Sequence, residues 1–414
     1  MGERRENMLE GKTKEESVRA FMWTLLLISF GAFVYSYRGI LENYNSTVLA
    51  FTYRYGFISR GLIGSLYHLL DAVLPMDLIS YESALYTSLV VTLLIFAIFL
   101  CLCYRMLQRC PEKYMTIVET ICILFMITVI TTFSSRRNLG RLDIYMILLS
   151  LWAVWIIIEG KHLWLVVPLS CLGVMVHQGY VFMYFNMILV LLFYQCLTRD
   201  KKKYLRLLVL SLLGVSALFL WFQFFSHIHG ESIVDGIIEE ASTLSRGGKY
   251  HETLIEAEIL GKDLTREEWP MHVENWMELP IFLLFVSPYI ALGIAYFKTL
   301  LKKCSTMTEK VKYWVVCLGA ATLLPNFILK VDYARWFLAM VVYYLVVWMA
   351  LILLGDLLVQ ETLFDYVNSV KRRCSGAFLL LLYPVLFLPF WDVHICELLK
   401  NISNPINESI LHLW

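Results

Sequence analysis

The chain has 414 residues and a formal net charge of +1, with 59% hydrophobic, 15% aromatic and only 17% charged residues and a mean hydropathy of +0.65. A water-soluble domain of this length needs far more polar surface to cover its core, so the composition excludes one. The near-zero balance identifies no partner, because positive and negative residues occupy different stretches of the chain.

Residues 1–20 form a polar tail, and apolar stretches long enough to cross or nearly cross a bilayer follow at 21–37, 84–104, 115–133, 144–158, 162–176, 180–197, 207–226, 279–297, 313–329, 336–355 and 376–391. The first lacks a small-residue cleavage site and reads as a retained span rather than a signal peptide. The stretches 144–158 and 162–176 are short and joined only by Glu159-Gly160-Lys161, so they form either a tight hairpin or two crossings. Pro384 and Pro389 make 376–391 a crossing or a re-entrant segment. The expectation is an all-α polytopic integral membrane protein with about 10–11 transmembrane helices and one long outer loop. It comprises a cytoplasmic N-terminal tail (1–20), a first helical bundle (21–226), the outer-face loop (227–278), a second bundle (279–391) and an outer C-terminal tail (392–414).

Orientation follows from Lys/Arg placement. With the N-terminus cytoplasmic, 22 of the basic residues fall inside and 13 outside; the inverted arrangement exposes Lys201-Lys202-Lys203 and Lys371-Arg372-Arg373. The long loop holds many of the acids together with Trp269, Pro270 and Trp276. An amphipathic helix around Ile233 to Ile259, lying on the outer membrane face, is expected there. The ten cysteines fall mostly in or beside apolar runs, without metal-ligand spacing in a polar loop, so neither a disulfide framework nor a zinc site is expected.

The outer side carries nine Arg and four Lys, against nine Arg and thirteen Lys inside. Arginine is the better bidentate ligand for phosphate and carboxylate, which points to an outward-facing anion site. Four segments supply it: Tyr53-Arg54-Tyr55-Gly56-Phe57-Ile58-Ser59-Arg60-Gly61-Leu62-Ile63-Gly64; Ser134-Ser135-Arg136-Arg137-Asn138-Leu139-Gly140-Arg141-Leu142-Asp143; His177-Gln178-Gly179-Tyr180; and Lys330-Val331-Asp332-Tyr333-Ala334-Arg335-Trp336. Simpler readings stand beside these: Arg54 and Arg60 as snorkelling side chains, Asp332 and Arg335 as a local helical ion pair, His177 as a satisfied helix-boundary group. For Arg136, Arg137 and Arg141 the functional reading outweighs the simpler one, because three cations in a short outer loop oppose the topological bias.

A polyprenyl-pyrophosphate-linked glycan suits such a site, with its anionic head at the interface and its tail in lipid. Arginines would stabilise the departing diphosphate. His177, or an acid such as Asp143, Asp332 or Glu42, would accept the proton of the attacking hydroxyl. The scheme requires no metal or other cofactor. There is no phosphate-binding Gly-rich loop and no dinucleotide fingerprint, and nothing points to nucleic acid.

In its length, its arginine-bearing outer loops, its enlarged loop after a mid-chain span and the pieces Arg141-Leu142-Asp143, His177-Gln178-Gly179 and Asp332-Tyr333-Ala334-Arg335-Trp336, the chain resembles bacterial O-antigen and exopolysaccharide polymerases. The resemblance implies a multi-pass bacterial inner-membrane enzyme of surface-polysaccharide assembly working on a lipid-linked repeat unit beside other assembly proteins. Arg136, Arg137, Arg141 and Arg335 are the ligands it suggests, with Arg54, Arg60 and Glu42 secondary. Two rivals remain: a polyprenyl-phosphate-sugar-dependent membrane glycosyltransferase, for which Glu42 is the early outer-loop acid, and a lipid-linked-glycan flippase or transporter. A non-catalytic partner in a polysaccharide machine is a further alternative.

Overall fold

The computed structural model describes residues 2–74, 78–226, 231–252, 254–255, 278–329 and 333–373. Among these the chain is helical, with turns and 3-10 pieces between helices and no strand. The first half contains α1 (Gly2–Ser36), α2 (Asn43–Leu49), α3 (Gly61–Val73), α4 (Tyr81–Arg109), α5 (Met115–Phe133), α6 (Asp143–Glu159), α7 (Val166–Val176), α8 (Tyr180–Met183) and α9 (Phe185–Thr198). The second half contains α10 (Lys201–Phe224), α11 (Glu231–Leu244), α12 (Glu278–Lys303), α13 (Met307–Leu318), α14 (Leu324–Leu329), α15 (Tyr333–Leu353) and α16 (Leu357–Arg373).

Five described helices are long and apolar enough to cross a membrane: Lys14–Ser36, Tyr81–Arg109, Glu112–Phe133, Lys201–Phe224 and Arg335–Leu353. The third and fifth are mostly buried and form the centre, where α5, α6, α9 and α15 pack. The other three turn leucines and aromatics outward, among them Leu27, Phe30, Leu94 and Leu213. Apolar surface on that scale suits a multi-pass membrane protein, where lipid rather than water covers it.

Polar contacts collect at two levels. At the first, Asp143 at the start of α6 meets Arg335 at the start of α15, and the Ser36 hydroxyl at the end of α1 meets that of Ser134 after α5 at 2.5 Å. At the second, Arg109 at the end of α4 pairs with Glu159 at the end of α6 at 2.6 Å, and Lys14 donates to the carbonyl of Cys110 at 2.8 Å. Asp356, just beyond α15, belongs to the same second level: it accepts from the Tyr194 and Tyr313 hydroxyls, each at 2.7 Å, from the Val359 amide at 3.0 Å, and from Lys312 at 3.3 Å. The helical path from Arg335 to Asp356 is about 30 Å at 1.5 Å per residue, close to the thickness of a hydrocarbon core.

Local signals explain several boundaries. Ser80 and Asp200 cap α4 and α10 through side-chain oxygens. Thr306 and Glu309 form a capping box at α13, and the amides of Ser305 and Thr306 hold the exposed Glu309 carboxyl below its ordinary range. Gly160, at φ 70°, ends α6 and turns the chain into the 3-10 turn Leu163–Leu165 before α7. The two short stretches thus form an antiparallel hairpin, with α6 running from the first polar level to the second.

Three features depart from the sequence expectation. First, α3 occupies a stretch where no apolar element was expected. At 13 residues, interrupted by His68 and Asp71, it is too short to register as a span, yet it seats on the chain just before it. A Cβ on Gly64 would collide with the carbonyl oxygens of Phe51 and Leu49, so only glycine lets the two backbones approach this closely.

Second, the stretches 180–197 and 313–329 are interrupted helices. The first breaks at Tyr184 (φ −129°) and the second runs through the 3-10 turn Gly319–Leu323. Side chains from other helices serve the freed carbonyls. Ser150 donates to the Tyr184 oxygen at 3.3 Å, Thr322 to that of Phe182 at 3.1 Å, and Asn186 to that of Gly319 at 3.1 Å.

Third, the loop helix ends at Leu244 rather than near Ile259, because Gly247 and Gly248 take positive φ in the turn that follows. It buries Ile237, Ala241 and Leu244 and packs on α2. The loop tryptophans, the stretch 376–391 and the tail 392–414 lie outside the described residues.

Candidate functional site

The first polar level gathers the arginine-bearing segments. Asp143 has no solvent exposure, and Arg335 grips it with two bonds, Nε to Oδ1 at 2.9 Å and Nη2 to Oδ2 at 3.1 Å. Arg141 approaches the second oxygen at 3.5 Å and donates to Asn138 Oδ1 at 3.0 Å. A carboxylate so engaged is a counter-ion. Its geometry fits that role better than the expected one of proton acceptor, because both its oxygens are engaged by guanidinium N–H groups.

Above this pair sits α2. The Arg141 guanidinium lies over the Tyr44 ring at 5.6 Å, and the Tyr44 hydroxyl accepts from Arg60 at 3.0 Å. Arg60 holds a left-handed backbone (φ 62°) at the entrance to α3, a conformation that costs a non-glycine residue about 1 kcal/mol or more. Asn45 donates to the carbonyls of Arg137 and Leu139, both at 2.9 Å, which fixes the arginine loop to α2. That loop presents Arg136 and Arg137 outward. Arg136 meets Glu42 at 3.0 Å with 57% of its side chain exposed, and Arg137 has no side-chain partner among the described residues.

On the far side of α2, α11 brings in Glu240, whose carboxylate touches Arg54 from the 3-10 turn and His68 from α3. Arg54 also lies over the Tyr55 ring at 4.6 Å. Burial pushes the neighbouring Tyr53 phenol up to about 12. His251 meets Tyr44 edge-on at 5.3 Å and accepts from the Leu254 amide, while its own amide donates to Thr47 at 3.0 Å. Burial first, and then the charge of Arg60, hold its imidazole below its ordinary range.

Of the residues expected from sequence, Arg335, Arg141 and Asp143 therefore form one buried constellation, Arg60 joins it through Tyr44, and Arg136 with Glu42 and Arg137 line the outer rim. Arg54 belongs to a neighbouring group around Glu240. His177 closes α7, is nearly buried, and accepts the Gly179 amide on Nδ1 at 2.7 Å. Asp332 lies outside the described residues, and among those described Arg335 is paired with Asp143. Sequence reading missed Tyr44, Asn45, His68, Glu240 and His251. Glu240 had a signal: it is an acid one position before Ala241 on the buried face of an amphipathic helix. It also missed the satisfied Asp356 cluster, which joins α9, α13 and α16 at the other level.

Chemically, the rim offers exposed guanidiniums mounted on a rigid buried pair. Such an arrangement binds multivalent oxyanions and orients them. Three or more His, Cys, Asp or Glu do not converge as a metal site among the described residues. Comparison with known proteins finds no family model, no curated protein and no solved structure that matches the chain.

Proposed function

We propose that the chain is a multi-pass enzyme of a bacterial cytoplasmic membrane, with its N-terminus inside, that transfers a glycan from a polyprenyl-pyrophosphate carrier in surface-polysaccharide assembly. The observation that carries this reading is the convergence of Arg54, Arg60, Arg136, Arg137, Arg141 and Arg335 on one end of the bundle, against Glu42, Asp143 and Glu240. That excess of cations sits at the edge of an apolar body, where a diphosphate joined to a lipid tail would meet it. As the glycosyl bond breaks, charge grows on the diphosphate, and the rim arginines would bind that state more tightly than the ground state. Polymerisation of repeat units and single-sugar transfer from a polyprenyl-phosphate donor both use this chemistry.

The test is binding of undecaprenyl diphosphate to the full chain in nanodiscs. Arg136→Ala combined with Arg137→Ala should weaken it about tenfold or more, the equivalent of one charge-assisted hydrogen bond. Lys201→Ala with Lys202→Ala, at the opposite end, should leave it unchanged. Equal affinity for undecaprenol and its diphosphate would sink the reading.

A second reading, movement of a lipid-linked glycan across the membrane, is favoured by the two interrupted helices that touch at Asn186 and Gly319.

A further inference from the structure

Glycosyl transfer to a sugar hydroxyl needs a group that takes the hydroxyl proton, and of the four acceptors considered from sequence the described ones are engaged elsewhere, Glu42 by Arg136 at 3.0 Å. Asp143 is committed to Arg335 and Arg141. His177 is nearly buried and spends Nδ1 on the Gly179 amide. Asp332 lies outside the described residues. Another histidine in the layer, His251, spends Nδ1 on the Leu254 amide, and burial and Arg60 make it a weaker base.

His68 differs in each respect. Its Nε2 lies against Glu240 Oε1, its side chain keeps 19% exposure, and its Nδ1 has no hydrogen-bond partner among the described residues. Glu240 is itself only 8% exposed, and its described charged neighbours are His68 and Arg54. A carboxylate beside one ring nitrogen favours the tautomer with the proton on that nitrogen and leaves the lone pair on the other. The ring is held in place. Gly64 seats α3 on the Phe51 and Leu49 carbonyls one turn earlier, and the Tyr67 hydroxyl donates to the Leu78 carbonyl beside it. Arg54, on the same Glu240 carboxylate, lies over the Tyr55 ring, and Tyr53, which precedes it in the chain, opens an aromatic group with Phe57, Trp221 and Phe222. These offer a cation for phosphate and flat apolar faces for a sugar ring.

We propose that His68, oriented by Glu240, is the proton acceptor of the outer-end site, an inference that rests on the glycosyl-transfer reading above. As the acceptor hydroxyl oxygen bonds to the anomeric carbon, its proton passes to Nδ1 of His68. The bond from that carbon to the carrier oxygen breaks, and its electron pair leaves with the polyprenyl diphosphate.

The test is the rate at which diethyl pyrocarbonate modifies each histidine of the full chain in nanodiscs, read by mass spectrometry with and without undecaprenyl diphosphate. His68 should react faster than His177 and His251, the lipid should slow it while leaving the exposed His162 unchanged, and Glu240→Gln should lower its rate about tenfold while the size-exclusion profile stays that of the parent. Slow modification of His68 in the parent chain, or no response to Glu240→Gln, overturns the proposal without recourse to any other variant. Lipid binding that leaves His68 unprotected overturns this inference alone. Failure of the parent chain to bind the lipid overturns the glycosyl-transfer reading and this inference with it.

Discussion

Replacing Asp143 with asparagine keeps the side-chain shape and removes the carboxylate that Arg335 and Arg141 share. Arg335 is 7% exposed and bonds it twice, and Arg141 is 16% exposed at 3.5 Å. Two unit charges about 4 Å apart interact by about 4 kcal/mol at an effective dielectric constant of 20. Breaking a buried pair by removing one partner costs about 3–5 kcal/mol, because the charge left behind is uncompensated. Asp143→Asn takes the shared carboxylate charge from both cations and should cost about 4 kcal/mol. Arg335→Met leaves Asp143 still facing Arg141 and fills the space with apolar atoms, so about 2 kcal/mol is expected. At about 2 °C per kcal/mol for a chain of this size, the melting temperatures should fall by about 8 °C and 4 °C. A thiol-reactive dye reads the transition in nanodiscs, because Cys103, Cys122 and Cys196 are buried until the bundle opens. An equal or larger loss in Arg335→Met would refute the counter-ion argument, since it would mean that Arg141 does not share the carboxylate.

Two further outcomes follow from the same geometry. Gly64→Ala should destabilise by about 2–3 kcal/mol despite the higher helix propensity of alanine, because its methyl meets backbone oxygens that have little room to move. Its melt, together with faster proteolysis between α2 and α3, checks this, and a neutral melt refutes the close approach. His251, with its imidazole held below the ordinary range by burial and Arg60, contributes stability that is present above the unfolded value of about 6.5 and is lost as pH falls through the folded one. Amide exchange in α2 and in residues 249–252 should therefore accelerate as pH drops further below the unfolded value, and His251→Phe should flatten that dependence while keeping the edge-on contact with Tyr44.

How much was legible in the sequence depends on the range of the interaction. The apolar runs at α1, α4, α5, α10 and α15 are set by composition over 18 or more residues, and they are the five helices long enough to cross a membrane. The caps at Ser80, Asp200 and Thr306 act within a few residues and leave a local signature. Arg136, Arg137, Arg141 and Arg335 stood out because cations beside apolar runs are costly wherever they fall. The partner of Arg335 was not legible, because Asp143 lies 192 positions away and any acid near a helix end would have matched as well. Glu240 and His68 are likewise brought together only when α11 settles on α2 beside α3.

The breaks at Tyr184 and in Gly319–Leu323 mark the limit most clearly. The residues flanking Tyr184 carry no proline or glycine within the run 180–198, and local propensity favours a continuous helix there. The helix opens because Ser150 and Thr322, from elsewhere in the bundle, bond the carbonyls it would otherwise use. Sequence by itself determined the apolar helical elements and the clustering of arginines at their ends, since both follow from the cost of exposing apolar groups or burying charge one residue at a time. Only the tertiary structure decided which arginines became buried supports and which remained on the rim, and which histidine met a carboxylate. Those pairings depend on helices packing side by side across large separations in the chain, and nothing in any one segment encodes its neighbour.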